Sequence, residues 1–213
     1  MSTQNVASRQ ISSSSSPIPL GEMVRRSRDV AGSVVLLTLA LPLLLVVACL
    51  IKLDSPGPLL YRQDRVGLNG RVFTLFKLRS MRIDAESDGP RWASEGDPRV
   101  TRIGHFIRAF RIDEVPQLFN ILRGDMSLVG PRPERPCFVE QLNLVIPQYG
   151  DRATILPGIT GWAQINYPYG ASVEDARVKL IYDLHYVRNQ TLLLDLYILM
   201  MTVPVVLFRV GAR

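Results

Sequence analysis

The chain has 213 residues, is 47% apolar and carries a net charge of +6. That length supports one domain with a real core, and the ordinary apolar content confines any membrane character to a local segment. Only two cysteines occur, Cys49 and Cys137, which excludes a disulfide framework or a cysteine-built zinc site and fits a reducing compartment.

The positive charge is nearly all arginine, the lysines being Lys52, Lys77 and Lys179. Guanidinium groups bind phosphate through two parallel hydrogen bonds, so this balance suits nucleotides, nucleic acid or lipid headgroups. A GC-rich genome would give the same bias.

Residues 1–20 hold a serine run and little apolar content, which predicts a disordered tail. Arg25, Arg26 and Arg28 follow, and then Val30 to Ile51, about 22 residues without a charge. At a rise of ~1.5 Å per residue this is long enough for a hydrocarbon core. Basic residues flank both ends, Lys52, Arg62 and Arg65 on the far side, and the positive-inside bias would hold both flanks in the cytoplasm. Pro42 removes a backbone hydrogen bond near the midpoint. A helix that enters, bends at Pro42 and returns, over residues 21–53, satisfies both flanks; a plain kinked span is the alternative. Val46 to Cys49 resembles a lipoprotein cleavage box but lies too late in the chain for one.

Residues 54–213 are then expected to form a cytoplasmic domain. Asp54 to Pro58 is a turn cluster, and Leu59–Val66 and Arg71–Leu78 are predicted strands of a hairpin closed by Gly67-Leu68-Asn69-Gly70. Period two places Lys77 and Arg79 on one face, where the pair could meet one anionic ligand or simply charge an edge. Residues 83–99 are polar and rich in glycine and proline, a long loop. Ile103, Phe106, Ile107 and Phe110 repeat at helical spacing, with Arg108 beside the stripe.

The stretch from Arg108 to Glu134 contains two adjacent carboxylates, Asp113 and Glu114, just before Val115-Pro116. Pro116 suits a first helical position, Leu118, Phe119, Ile121 and Leu122 give an apolar face, and Gly124 suits the helix end. A helix over Pro116–Arg123 puts both acids at its N-terminus, where the dipole would keep a carboxylate ionised, as a nucleophile requires. Acids in a first turn are also ordinary capping. Further on, Phe138–Ile146 and Ser172–Arg188 are predicted helices, the latter opening on a capping-box variant. Leu192–Phe208 is apolar but interrupted by Asp195 and Pro204, which suits a helix lying on the membrane surface or packing on the first helix. The fold class is α/β, mainly helical with a small β-hairpin, a membrane-embedded N-terminal helix and interfacial helices.

Several motifs occur in order: Leu53 to Pro58, Arg62 to Gly67, Phe76 to Met81, Asp113 to Gln117, Gly124 to Pro133, and Pro157 to Trp162. Together they strongly resemble the monotopic phosphoglycosyl transferases, bacterial sugar transferases of exopolysaccharide and glycoconjugate assembly. The resemblance runs from about Arg25 to the C-terminus; Tyr167-Pro168-Tyr169-Gly170 and the C-terminal region are most similar to exosortase-linked members. It implies transfer of a phospho-sugar from a UDP-sugar to polyprenyl phosphate, with Mg2+, at the cytoplasmic face of the bacterial inner membrane.

On this resemblance Asp113 is the nucleophile and a metal contact, and Glu114 is its partner. Lys77, Arg79 and Arg108 match phosphate-binding positions, Arg132 the nucleotide end, and Asp183 an acidic position of unassigned duty. Inner-membrane lipid is an expected partner and nucleic acid is not; a homo-oligomer stays open. The family's re-entrant helix often breaks at Ser-Pro, where this chain has Leu41-Pro42. Residues 1 to about 24 are too short for the extra membrane region of many members, which implies a short or truncated form. His105 and His185 are read as structural. A membrane-tethered, Arg-rich module for nucleic acid or anionic lipid is the rival reading, to which a carboxylate dyad is of no use.

Overall fold

The computed structural model describes residues 20–94, 96–168 and 170–208. The predicted tail lies outside them apart from Leu20, and so does Tyr169. The architecture is mainly helical with two small sheets. Helix α1 spans Leu20–Asp54, 35 residues with Pro42 inside it. Its apolar stretch has a mean hydropathy of 3.1 and is 11% buried, whereas a core helix would be mostly buried. Leu39, Leu41, Leu43, Leu45 and Val46 are among its exposed side chains.

Both ends of α1 are seated on the same body. At the C-terminal end, Val47 and Ile51 pack with Leu78, Ile107 and Ile112, and Asp54 accepts the Ile103 N–H at 3.2 Å. At the N-terminal end the predicted basic flank is built into the protein. Arg26 donates to the Ile121 and Leu122 carbonyls at 2.5 and 2.7 Å. Arg28 and Arg25 donate to the fully buried Asp195 at 2.6 and 3.2 Å. Asp29 accepts the Ser127 hydroxyl at 2.6 Å. These arginines therefore answer buried carbonyls and a buried carboxylate, which a reading of flanking charge alone does not anticipate.

Strands β1, Leu60–Val66, and β2, Val72–Leu78, pair antiparallel with Leu60 opposite Leu78 and Val66 opposite Val72. The turn between them places Asn69 and Gly70 at φ 53° and 78°. Residues 83–94 and 96–99 run without helix or strand, as predicted for that loop. Helix α2, Arg102–Ala109, is capped by the Thr101 side chain accepting from the Gly104 N–H. A 3-10 turn, Ile112–Glu114, precedes helix α3, Gln117–Arg123, which ends on Gly124 at φ 88°. That left-handed geometry is what a glycine at the helix end provides.

The buried face of α3 differs from the predicted one. Gln117, Leu118, Asn120 and Ile121 are buried, while Phe119 is 53% exposed. The reason is a polar stitch: Asn120 accepts the Phe76 N–H at 3.1 Å and donates to the Thr74 carbonyl at 2.7 Å, tying α3 to β2.

Strand β3, Ser127–Val129, pairs parallel with β4, Gly158–Thr160. A Cβ on Gly158 would stand 2.1 Å from the Gly130 nitrogen, so the two backbones approach as only glycines allow. Helices α4 (Pro136–Val145), α5 (Trp162–Asn166), α6 (Val173–Arg188) and α7 (Leu192–Leu207) complete the fold. The main core gathers Phe73, Leu75, Leu118, Ile121, Met126, Leu128, Tyr186 and Ile198, and a second gathers Leu142, Ile146, Tyr149 and Leu180. α7 is 16 residues long, and Leu193, Met200 and Leu207 are exposed on it.

Asp195 joins α1 to α7, and its other oxygen accepts the Tyr186 hydroxyl at 2.6 Å. Removing one side of a buried ion pair costs roughly 3–5 kcal/mol. Asp195→Ala should therefore lower the Tm of the detergent-solubilised protein by several degrees; an unchanged Tm would mean that apolar packing alone seats α1.

Candidate active site

Asp113 and Glu114 are buried, at 6% and 7% exposure. They do not sit in the first turn of α3. They occupy the separate 3-10 turn, which Arg111 opens at φ 54° and the Glu114 N–H to Arg111 carbonyl bond closes at 3.1 Å. A non-glycine residue in the left-handed region is uncommon and is found disproportionately at functional sites.

The two acids have different surroundings. Glu114 accepts from Lys77 at 3.0 Å through Oε1, and from Arg132, whose Nη2 meets Oε1 and whose Nη1 meets Oε2 at 3.3 Å. Among the described residues no side chain donates a hydrogen bond to the Asp113 carboxylate, and it lines the cavity instead.

Burial drives the Asp113 carboxyl up to about 6; repulsion from Glu114 adds to this, and Lys77, Arg108 and Arg132 oppose it. Burial acts on Glu114 too, but Arg132 and Lys77 outweigh it and hold that carboxylate well below the ordinary range. Burial lowers the Lys77 ammonium below its usual value against the pull of Glu114. The predicted helix dipole is therefore not what sets the charge of Asp113. Desolvation and the neighbouring cations set it, and near neutral pH the group is mostly ionised.

The cavity measures about 710 Å3. Twelve basic and five acidic side chains line it among the described residues, a balance suited to a di-anionic or poly-anionic small molecule. Lys77, Arg79, Arg108, Arg111, Arg132 and Asp183 all lie on its wall with the dyad. Lys77 and Arg79 do not converge on one group, however. Arg79 is buried and donates to the Pro56 and Ser55 carbonyls at 2.5 and 2.7 Å, fixing the turn that follows α1. Asp183 is paired with Arg152 at 2.7 Å, and burial raises its pKa although Arg152 opposes this.

Arg152 was not singled out from the sequence. Its guanidinium also donates to the Arg132 carbonyl and the Tyr149 hydroxyl, each at 2.7 Å. Asp183 thus reaches the dyad indirectly, by holding the arginine that holds the backbone of Arg132. Arg65 likewise ties β1 to the Pro133 carbonyl at 3.0 Å and to Glu134 at 2.9 Å. Each has one near partner, Tyr149 for Arg152 and Gln63 for Arg65, but the contacts that tie them to the site come from chain segments distant in sequence.

Among the described residues no three His, Cys, Asp or Glu side chains form a metal-binding group. Both Glu114 oxygens are taken by cations, which leaves Asp113 as the carboxylate of the pair able to contact an ion. Magnesium is commonly held by one or two carboxylates and completed by substrate phosphates and water. The residues fit that arrangement and do not fit an all-protein cage.

The bacterial sugar transferase family matches residues 20–209. The chain is 46% identical over 197 residues to a UDP-N-acetylgalactosamine-undecaprenyl-phosphate N-acetylgalactosaminephosphotransferase of Aeromonas hydrophila, covering 92% of this chain and 47% of that protein. It is 44% identical over 185 residues to a UDP-glucose:undecaprenyl-phosphate glucose-1-phosphate transferase of Caulobacter vibrioides, covering 86% of this chain and 69% of that one. An exopolysaccharide production protein, PSS, of Rhizobium leguminosarum bv. phaseoli is 40% identical over 190 residues, covering 85% of this chain and 94% of that one. The chain thus spans about half the length of the Aeromonas relative and nearly all of the Rhizobium one. Matched over most of its length by the family and by these relatives, the chain belongs to the bacterial sugar transferases.

Proposed function

We propose that the protein transfers a phospho-sugar from a UDP-sugar to a polyprenyl phosphate through an aspartyl intermediate. One observation carries the reading. A buried carboxylate pair shares a cationic cavity, and its two members are differentiated, Glu114 pinned by Lys77 and Arg132 and Asp113 lining the wall with no side-chain donor among the described residues. The relatives' names supply the substrate classes, a UDP-sugar and undecaprenyl phosphate.

In the first half-reaction an Asp113 oxygen attacks the β-phosphorus of the donor. The bond from that phosphorus to the bridging oxygen breaks and UMP leaves. In the second, an oxygen of the acceptor phosphate attacks the same phosphorus and the bond to Asp113 breaks, regenerating the carboxylate. Covalent catalysis divides one hard transfer into two. Lys77 and Arg132 are positioned to disperse phosphoryl charge, with Arg108 on the same wall. Glu114 holds the first two in place and keeps their charge from over-stabilising the neighbouring acid. A bound magnesium ion would add Lewis-acid stabilisation of phosphate charge, with Asp113 as its protein contact. A binding module for polyanions gains nothing from acids planted among its cations, so the rival reading finds no support in this cavity.

The membrane topology belongs to the same proposal. α1 enters the bilayer, bends near Pro42 and returns to the cytoplasmic face. Its two ends support this, since residues 25–29 and residues 47–54 contact one body. A true span would put a bilayer between them.

Asp113→Asn should abolish turnover and adduct formation, with wild-type enzyme and UDP-sugar giving a sugar-phosphate adduct on the Asp113 peptide by mass spectrometry. The variant should fold, and above pH 6 it should melt at or above the wild-type Tm. A raised carboxyl pKa means that the fold disfavours the charged form, which the amide lacks. Full activity in the variant would overturn the mechanism.

The pH profile is a second check. Attack needs ionised Asp113, so kcat/KM for the donor should fall about tenfold per pH unit below about 6. A profile that stays flat down to pH 4 would place the nucleophile elsewhere.

For the topology, single cysteines at positions 22 and 54, in a chain lacking Cys49 and Cys137, should both resist a membrane-impermeant thiol reagent in intact cells and react after permeabilisation. Labelling of position 22 alone in intact cells would mean a span.

A further inference from the structure

The cavity has a rim that donor chemistry leaves without a role. Besides the dyad it reaches Pro58, Leu60, Met81 and Ile83. Leu60 is 39% exposed and Ile83 67%, so apolar side chains stand at the mouth of an otherwise strongly charged cleft. This rim adjoins the place where α1 leaves its apolar stretch. The turn after Asp54 is clamped by Arg79 through the Ser55 and Pro56 carbonyls. Gly57, at φ 121°, passes so close to the rim that a Cβ there would stand 2.7 Å from the Ile83 Cδ1. The neighbouring wall belongs to α2, where Ile107 packs with Val47 and Ile51 of α1. The next residue, Arg108, lines the cavity together with Arg111.

We infer that this rim is the portal of the lipid acceptor. The first isoprene units of an isoprenoid phosphate lie on Leu60, Met81 and Ile83, and its phosphate reaches between Arg108 and Arg111 to Asp113. The inference rests on the transferase reading above. A sugar nucleotide is polar along its whole length and gains little from an apolar ledge. An isoprenoid phosphate has one end for the ledge and the other for the arginines, and the ledge adjoins the turn on which the apolar helix α1 ends. Acceptor and donor then approach Asp113 along different walls, and the acceptor need not leave the headgroup plane to reach the phosphorus.

The test uses the full chain in mixed micelles with Leu60→Gln and Ile83→Ser, and UDP-glucose or UDP-N-acetylgalactosamine, whichever releases UMP. Two measurements separate the half-reactions: the burst of UMP without acceptor, and the KM for undecaprenyl phosphate with it. The burst should equal wild type, which also shows that the variants fold. The acceptor KM should rise about tenfold in each, the loss expected for one apolar contact of roughly 1.4 kcal/mol. Saturating kcat should hold, and Ile83→Leu should behave as wild type. If Leu60→Gln loses the burst, Ile83→Ser decides, since that side chain lies outside any strand and mostly in solvent. A full burst with an unchanged acceptor KM overturns the portal. A raised donor KM instead gives the rim to the sugar nucleotide and overturns it equally. Absence of any burst in the wild type overturns the transferase reading and the portal with it.

Discussion

Glu114 is the point at which three separate parts of the chain meet. Lys77 comes from β2, Arg132 from the segment after β3, and Glu114 itself from the turn before α3. Two cations so close would repel each other strongly in a desolvated place; the shared carboxylate makes their proximity favourable. It also sets the field at Asp113. With Glu114 ionised, part of the cationic pull on Asp113 is cancelled, and burial leaves that carboxyl titrating at about 6, so that the nucleophile proposed above would be mostly ionised at neutral pH and still reactive. The capping role read for such acids does not describe either of them.

Around this pair the supports are backbone contacts as much as side chains. Arg152, itself anchored by Asp183 and Tyr149, fixes the Arg132 carbonyl. Gly130 and Gly158 bring β3 and β4 together without side chains between them, and the arginine-bearing segment departs directly from that junction. The transfer proposed above would need these groups held closely about a phosphorus, which partners whose own positions are fixed achieve best.

Local pattern made much of this legible. The hairpin followed from strand alternation and a glycine-flanked turn, α3 from Pro116 and Gly124, and α6 from the residues of its capping box, Ser172 and Asp175. Where the reading strayed, the deciding partner was distant in sequence. Arg79 has the right alternation to accompany Lys77, but carbonyls 23 and 24 residues away claim it. Phe119 looks like core and Asn120 like surface until β2 is placed beside α3, where an amide can pair the strand's free N–H and C=O groups and a phenyl ring cannot. The arginines in the first turns of α1 read only as a basic flank because their acceptors, Ile121, Leu122 and Asp195, lie 95 residues or more further along the chain. Asp113 and Glu114 were visible as a pair, but their division of labour depends on which of them the cations reach.

The seating of α1 changes what kind of object this helix is. A membrane anchor is ordinarily a tether, and cutting it frees a soluble domain. Here the cut would uncover the last carbonyls of α3, strand β3 at Ser127 and the carboxylate of Asp195, each now answered by a side chain of α1. The apolar helix is thus a wall of the folded domain, and removing it would leave polar groups of α3, β3 and α7 without their partners. A displacement of α1 would therefore be felt at the carboxylate pair. On the membrane insertion proposed above, a bilayer that shifts the depth or angle of α1 would pull on the helix that follows the carboxylate pair and on the strand that leads to Arg132.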